Sequence, residues 1–176
     1  MKKEERIHLV TPSPEWKDVI MDYKREFLEH EDTMPGAAGL DTADTFEDWY
    51  GAVCDNLSEE TVRAGFVPAS TFLVISYEGR LVGMIDIRHR LSDFLFHFGG
   101  HIGYNVRKSE RRKGYATEIL ALGLMQCKEL GIDRVLITCD RENIASMKTI
   151  LKNGGILENE VPHDGKIIAR YWIDCV

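Results

Sequence analysis

The apolar residues of this 176-residue chain follow two periods that alternate along it. Over residues 15–30, Trp16, Val19, Ile20, Tyr23 and Phe27 recur at three- and four-residue steps, which predicts a helix with one buried stripe. Ser13 and Pro14 stand at its start. Phe46, Trp49, Tyr50 and Val53 predict a second, weaker helix over residues 46–57. Ile119, Leu120, Leu124, Cys127 and Leu130 predict a third over 117–130, with Gly131 as its stop. Asn143 is a good N-cap for a fourth, striped by Ile144, Met147, Ile150 and Leu151 and ended by Asn153-Gly154-Gly155.

Between these lie short runs of β type. Residues 7–10 form a brief candidate strand, and 71–77 with 81–89 a hairpin across Glu78-Gly79-Arg80. Residues 101–107 and the β-branched run 134–140 read as further strands, and 156–160 and 167–174 as the last two, around His163-Asp164-Gly165. Residues 33–42, with Pro35, Gly36 and Gly39, read as a loop, and 94–100 as an aromatic connection. The length and the mixture of elements predict a single domain of α/β (α+β) class over residues 1–176.

The segment Arg111-Arg112-Lys113-Gly114-Tyr115-Ala116 joins a predicted strand to a predicted helix, and its chemistry suits a phosphate. Gly114 lets the backbone bend and approach a ligand closely. The first helix amides lack intrahelical partners and sit at the positive end of the dipole. Arg111, Arg112 and Lys113 add positive charge within reach of the same anion. The chain has neither a GxxxxGK[ST] string nor GxGxxG, so the two common nucleotide loops are excluded.

The spacing Arg111-x-x-Gly114-x-Ala116 resembles the [QR]-x-x-G-x-[GA] signature of the GNAT superfamily of N-acetyltransferases. Strand, basic loop, helix, strand and helix over residues 101–155 follow the order of that superfamily's core. The resemblance implies a mixed, mostly antiparallel sheet flanked by helices, with a splayed strand before the loop. It implies acetyl-CoA as co-substrate, with residues 111–116 on its pyrophosphate and Asn143 and Ser146 at positions that contact it from the fourth helix. It also implies an oxyanion-binding backbone amide at or beside Val106, and no metal.

Acetyl transfer to an amine requires that the amine lose a proton, since an alkylamine of pKa ~10.4 is neutral in only about one molecule per thousand at pH 7. Candidate bases are His101 and Tyr104 on the predicted strand, with His97, Asp86 and His89 nearby; His101 is the named expectation. If His101 faces the acceptor, alternation along the strand turns Tyr104 to the other face. Many members of the superfamily carry a thiolate-protonating Tyr seven residues after the Asn of the fourth helix. Ile150 occupies that position here. Another group serves, or solvent does, or turnover is weak.

Charge narrows the partners. The net charge of −7 speaks against nucleic acid, but it is unevenly spread: residues 26–62 contain no Lys or Arg, while the basic cluster comprises Arg107, Lys108, Arg111, Arg112 and Lys113. An anionic cofactor suits the basic loop, and a cationic amine acceptor suits the acidic lobe. Cys54, Cys127, Cys139 and Cys175 form no CxxC pair, and Cys127 and Cys139 read as core residues. No apolar run reaches membrane-spanning length, and Met1 to Arg6 is charged without a following signal region, so a cytoplasmic location is expected. The expected function is acetyl transfer from acetyl-CoA to a primary amine of a small molecule or peptide. A CoA-binding sensor or partner domain with little turnover is the alternative, and an O-acyl or longer-chain transferase a third; a homodimer through the last strands is also expected.

Overall fold

The computed structural model describes residues 6–175; the charged start at residues 1–5 and Val176 lie outside the described residues. The order is β1 (Ile7–Val10), α1 (Lys17–Glu29), α2 (Phe46–Asp55), β2 (Ala69–Ser76), β3 (Leu81–Arg88), β4 (Ile102–Val106), α3 (Tyr115–Glu129), β5 (Arg134–Asp140), α4 (Ile144–Lys152), β6 (Ile156–His163) and β7 (Lys166–Asp174). Antiparallel pairing makes one sheet in the order β1-β2-β3-β4 and a second in the order β5-β7-β6. The two sheets meet where β4 and β5 begin to diverge.

β2 and β3 are almost continuously apolar because both faces of the larger sheet are covered. Leu73, Ile75, Leu81 and Met84 pack with Ile20, Tyr23, Phe27, Phe46 and Trp49 of α1 and α2. Val74, Val82, Ile85 and Ile87 pack on the opposite face with Ile119, Leu120 and Cys127 of α3 and Ile150 of α4. Thr45 caps α2, its hydroxyl accepting the Asp48 amide at 3.1 Å.

Three predicted stripes are narrower than the spacing suggests. Val19 of α1, Leu130 at the end of α3, and Ile144 and Leu151 of α4 are exposed. α4 lies beside a cleft, so Met147, Thr149 and Ile150 on its inner side meet the body of the protein, while Ile144 and Leu151 do not. The 94–100 connection is a π-helical turn over Leu95–Gly99. Five residues are too few to show a period, and tertiary donors hold this turn. Thr138 Oγ1 donates to the Phe98 carbonyl at 2.7 Å, and the buried Arg170 donates to the Phe96 carbonyl through Nη2 at 2.7 Å.

His101 fastens the two sheets. Its backbone N–H donates to the Leu136 carbonyl at 2.7 Å, and its ring Nδ1 accepts the Leu136 N–H at 2.9 Å. An imidazole nitrogen thus takes the place of a backbone carbonyl in one rung between β4 and β5. Gly100, beside it, has φ 69°, and a Cβ there would stand 2.6 Å from the Leu136 carbonyl oxygen. Beyond this rung no ladder joins β4 to β5.

Burial, and then the nearby Arg88 guanidinium, hold the His101 imidazole down at about 4. The neutral ring is the one that accepts the amide. The unfolded chain takes up a proton near pH 6.5, while the folded protein resists until about 4. Stability from this group is therefore complete above pH 6.5 and lost as pH falls toward 4, by roughly 3 kcal/mol in all. Urea unfolding of the wild type between pH 7 and 4 is expected to show this loss. His101→Phe is expected to start less stable and to lack that component of the pH dependence; a variant with an unaltered pH slope would count against the clasp.

Candidate active site

The divergence of β4 from β5 opens a cleft of about 960 Å³. β4 supplies one wall from Ile102 to Val106, and Thr138, Cys139 and Asp140 at the end of β5 supply another. The start of α3, one face of α4, and Asp32, Thr33 and Pro35 complete it.

The register of β4 decides what its backbone offers. Arg88 N–H donates to the His101 carbonyl and Arg107 N–H to the Val82 carbonyl, so the odd-numbered residues bond to β3. The amides of Ile102, Tyr104 and Val106 consequently point away from β3, into the gap. On the same side, Arg111 Nε donates to the Val106 carbonyl at 2.9 Å.

At the basic loop, Arg112 adopts φ 64° and Gly114 φ 85°, a left-handed pair that reverses the chain ahead of α3. Gly114 is the N-cap and no side chain caps the helix, so the first-turn amides around Tyr115, Ala116 and Thr117 are open to the cleft. Arg6 braces the loop from behind: Nη2 donates to the Lys113 carbonyl at 2.9 Å and to Glu118 at 2.6 Å, and its guanidinium lies 4.9 Å over the Tyr115 ring.

The three cations of the loop divide. Arg111 turns inward, to the Val106 carbonyl and to Asp32 at 3.1 Å, and Lys113 pairs with Glu110 at 2.7 Å. Arg112 has no ion pair among the described residues. All three are expected within reach of an anion; here the fold also brings a carboxylate to Arg111 and to Lys113, both of which stay partly exposed to solvent.

Further pins hold β4 against α1. Arg107, buried, donates to Glu26 through Nε at 2.6 Å, and Ser109 N–H donates to the same carboxylate at 2.8 Å. Burial pushes the Glu26 carboxyl up, but the Ser109 amide and Arg107 outweigh it and hold it at about 2. Tyr23 donates its hydroxyl to Asn105, whose Nδ2 donates to the Pro35 carbonyl at 2.7 Å. This fixes the 32–35 segment as a wall of the cleft.

Of the side chains expected to act, Asn143 is an N-cap, its Oδ1 accepting the Ser146 amide at 3.1 Å. Ser146 and Tyr104 meet across the gap, hydroxyl to hydroxyl, at 2.9 Å. Burial raises the Tyr104 phenol, against the hydrogen bonds of Ser146 and Thr149, so it keeps its proton through neutral pH. His101 is not among the cleft-lining residues, and its Nδ1 is occupied by Leu136. The sheet junction thus occupies the lone pair that a base at His101 would use. His97 and His89 are likewise engaged elsewhere, with the Asp93 carbonyl and the Ser70 hydroxyl. Asp86 is buried against Thr71 and Arg88.

Sequence inspection alone missed Asp32, Cys139, Thr149, Lys148 and Lys152. The α4 members have a readable signal, since Ala145, Lys148, Thr149 and Lys152 share one helical face at three-, four- and seven-residue steps. Asp32 has none; the Asn105 bond places it. Among the described residues no group of three or more His, Cys, Asp or Glu side chains could hold a metal ion. No helix among them is long and apolar enough to cross a membrane.

An antiparallel sheet opened at one strand, with a left-handed basic loop at a helix start beside the opening, defines an acyltransferase architecture. The chain belongs to the GNAT acetyltransferases: the family model described as acetyltransferase (GNAT) domain matches residues 6–156. No curated protein matches it in sequence. Among solved structures, the ribosomal-protein-S5-alanine acetyltransferase of Vibrio fischeri superposes with TM-score 0.69 at 17% identity, over 98% of this chain and 94% of that one. A GNAT-family acetyltransferase of Bacillus anthracis gives 0.63 at 23% identity, over 98% and 97%. The protein yncA of Salmonella typhimurium, solved with its cofactor acetyl-CoA, gives 0.65 at 12%, over 98% and 95%. At such identities the likeness establishes the fold.

Asn143→Ala removes the cap of α4 and is expected to lower stability by about 1 kcal/mol, with Asn143→Asp close to wild type. Denaturant midpoints measure this; equal midpoints for the Ala variant and wild type would mean the Ser146 amide finds another acceptor.

Proposed function

We propose that the protein transfers an acetyl group from acetyl-CoA to a primary amine of a small molecule or peptide. The observation that carries this is the gap beside β4, where unpaired strand amides face a cleft that ends at the open amides of α3. The cleft fits the ligand: open amides and the unpaired Arg112 suit a pyrophosphate, and the groove along β4 suits an extended pantetheine arm. Acetyl-CoA supplies the activated acetyl group. YncA of Salmonella typhimurium, with the same fold, holds this molecule, which supports the assignment.

The chain's own contributions follow from its geometry. The Val106 amide, turned away from β3 by the register, donates to the oxygen on which negative charge develops. Tyr104 brings a proton-bearing hydroxyl to the cleft, where Ser146 holds it. It can protonate the departing thiolate in place of the tyrosine that Ile150 replaces; Ile150 itself is fully buried. The acceptor enters along the 32–35 wall, and Asp32 with the acidic lobe favours a cationic amine. No histidine lines the cleft among the described residues. The free amine thus arises through solvent, and turnover is expected to rise with pH toward the amine's own pKa.

A second reading, a CoA-binding domain with little turnover, draws on the burial of Ile150 and the engagement of His101. Free-thiol release from acetyl-CoA across a panel of amines separates the two; thermal stabilisation by the coenzyme with no thiol release favours the binder.

Gly114→Asp places a carboxylate at the helix start, where Gly114 already needs φ 85°, and is expected to weaken acetyl-CoA binding at least tenfold in a folded protein. Calorimetry checks this, and unchanged affinity would remove the loop from the site. Tyr104→Phe is expected to lower kcat about 10²-fold with little change in KM for acetyl-CoA. An unaltered kcat would assign thiolate protonation to solvent.

A further inference from the structure

The charge along the cleft has a surplus that the loop does not use. Arg111, Lys113 and Arg6 are spent on Asp32, Glu110 and Glu118. Lys148 and Lys152 line the same cleft, are exposed, and have no ion pair or hydrogen bond among the described residues. They stand one turn apart on the cleft face of α4. Asn153, next in the chain, donates its Nδ2 to the Thr117 carbonyl at 3.2 Å, which ties this end of α4 to the first turn of α3. Two free ammonium groups therefore flank the phosphate loop from the opposite wall.

Lys152 near the helix C-terminus is favourable to the dipole wherever it points. That effect does not explain why both lysines lie on the one face of α4 that borders the cleft, when exposed sites at Ile144 and Leu151 carry apolar residues. A ligand with more negative charge than a pyrophosphate explains it. Coenzyme A carries a further phosphomonoester on its ribose, of charge about −1.5 to −2 at pH 7, and compact ammonium groups suit such a terminal anion.

We propose that Lys148 and Lys152 form a subsite for the ribose 3′-phosphate, which makes the cleft select the free nucleotide thioester over carriers of the same arm that lack this phosphate. Such carriers include 3′-dephospho-coenzyme A and a pantetheine arm attached to a protein through its phosphodiester. The proposal rests on the coenzyme reading above and assigns a discriminating role to α4 within it.

The test is titration calorimetry at fixed, low salt with coenzyme A and with 3′-dephospho-coenzyme A. The proteins are the wild type and the double variant Lys148→Gln/Lys152→Gln, whose exposed substitutions leave the core untouched. The wild type is expected to bind coenzyme A roughly tenfold to a hundredfold more tightly than the dephospho form. In the double variant the affinity for coenzyme A falls to that of the dephospho form, and the latter stays as it was. Equal binding of the two nucleotides by the wild type overturns the subsite while leaving the coenzyme reading in place. An equal loss for both nucleotides in the variant also overturns it and assigns the lysines to the pyrophosphate. Binding of neither nucleotide by the wild type overturns the coenzyme reading and the subsite with it.

Discussion

The rung between His101 and Leu136 is the constraint on which the rest of this structure depends. A sheet that continued from β4 into β5 would satisfy every strand amide and leave no place for a ligand. A sheet broken completely would let the two halves separate. One rung, built from a backbone N–H on one side and an imidazole nitrogen on the other, joins the halves and ends the ladder at the same point. The imidazole can accept but cannot extend the ladder, so the strands diverge beyond it. The amides of Tyr104 and Val106 are left without strand partners as a consequence.

Polar pins then set the shape of the opening. Arg107 with Glu26, and Asn105 with Tyr23 and Pro35, fix β4 to the α1 side. The Tyr104–Ser146 contact spans to α4, and the Asn153–Thr117 bond joins α4 to α3. Each pin is a hydrogen bond between elements far apart in sequence, and buried ones of this kind are costly to break because they strand a desolvated partner. The cleft is thus held open by groups that are themselves satisfied. Among the described residues that line the cleft, the groups left without a protein partner are the amides at the helix start, the strand amides, and Arg112, Lys148 and Lys152.

Much of this was legible in the order of residues. The helices and strands follow their apolar periods, and Gly114 with the cations before it marks the phosphate-type loop without any structure. The errors share one cause. Periodicity reports that a face is apolar, not what it meets, so Ile144, Leu151 and Leu130 belong to their helices' apolar stripes and yet stand exposed. In the same way a basic string reports charge but not its neutralisation, and Arg111 and Lys113 find carboxylates that only the fold brings near.

The sequence by itself determined the local elements, the glycine-bearing turn and the absence of the phenol that Ile150 replaces, because these depend on residues a few positions apart. Only the tertiary structure decided what His101 does. A strand-end histidine is chemically equal to a base or a clasp, and the choice falls on whichever group reaches its Nδ1; here that group is the amide of Leu136, thirty-five residues later in the chain. The same holds for Tyr104, which becomes a candidate acid only because Ser146, forty-two positions away, turns its hydroxyl into the cleft. Hydrogen bonds at such separations carry no trace in spacing or composition, since the chain between them must fold before the partners meet.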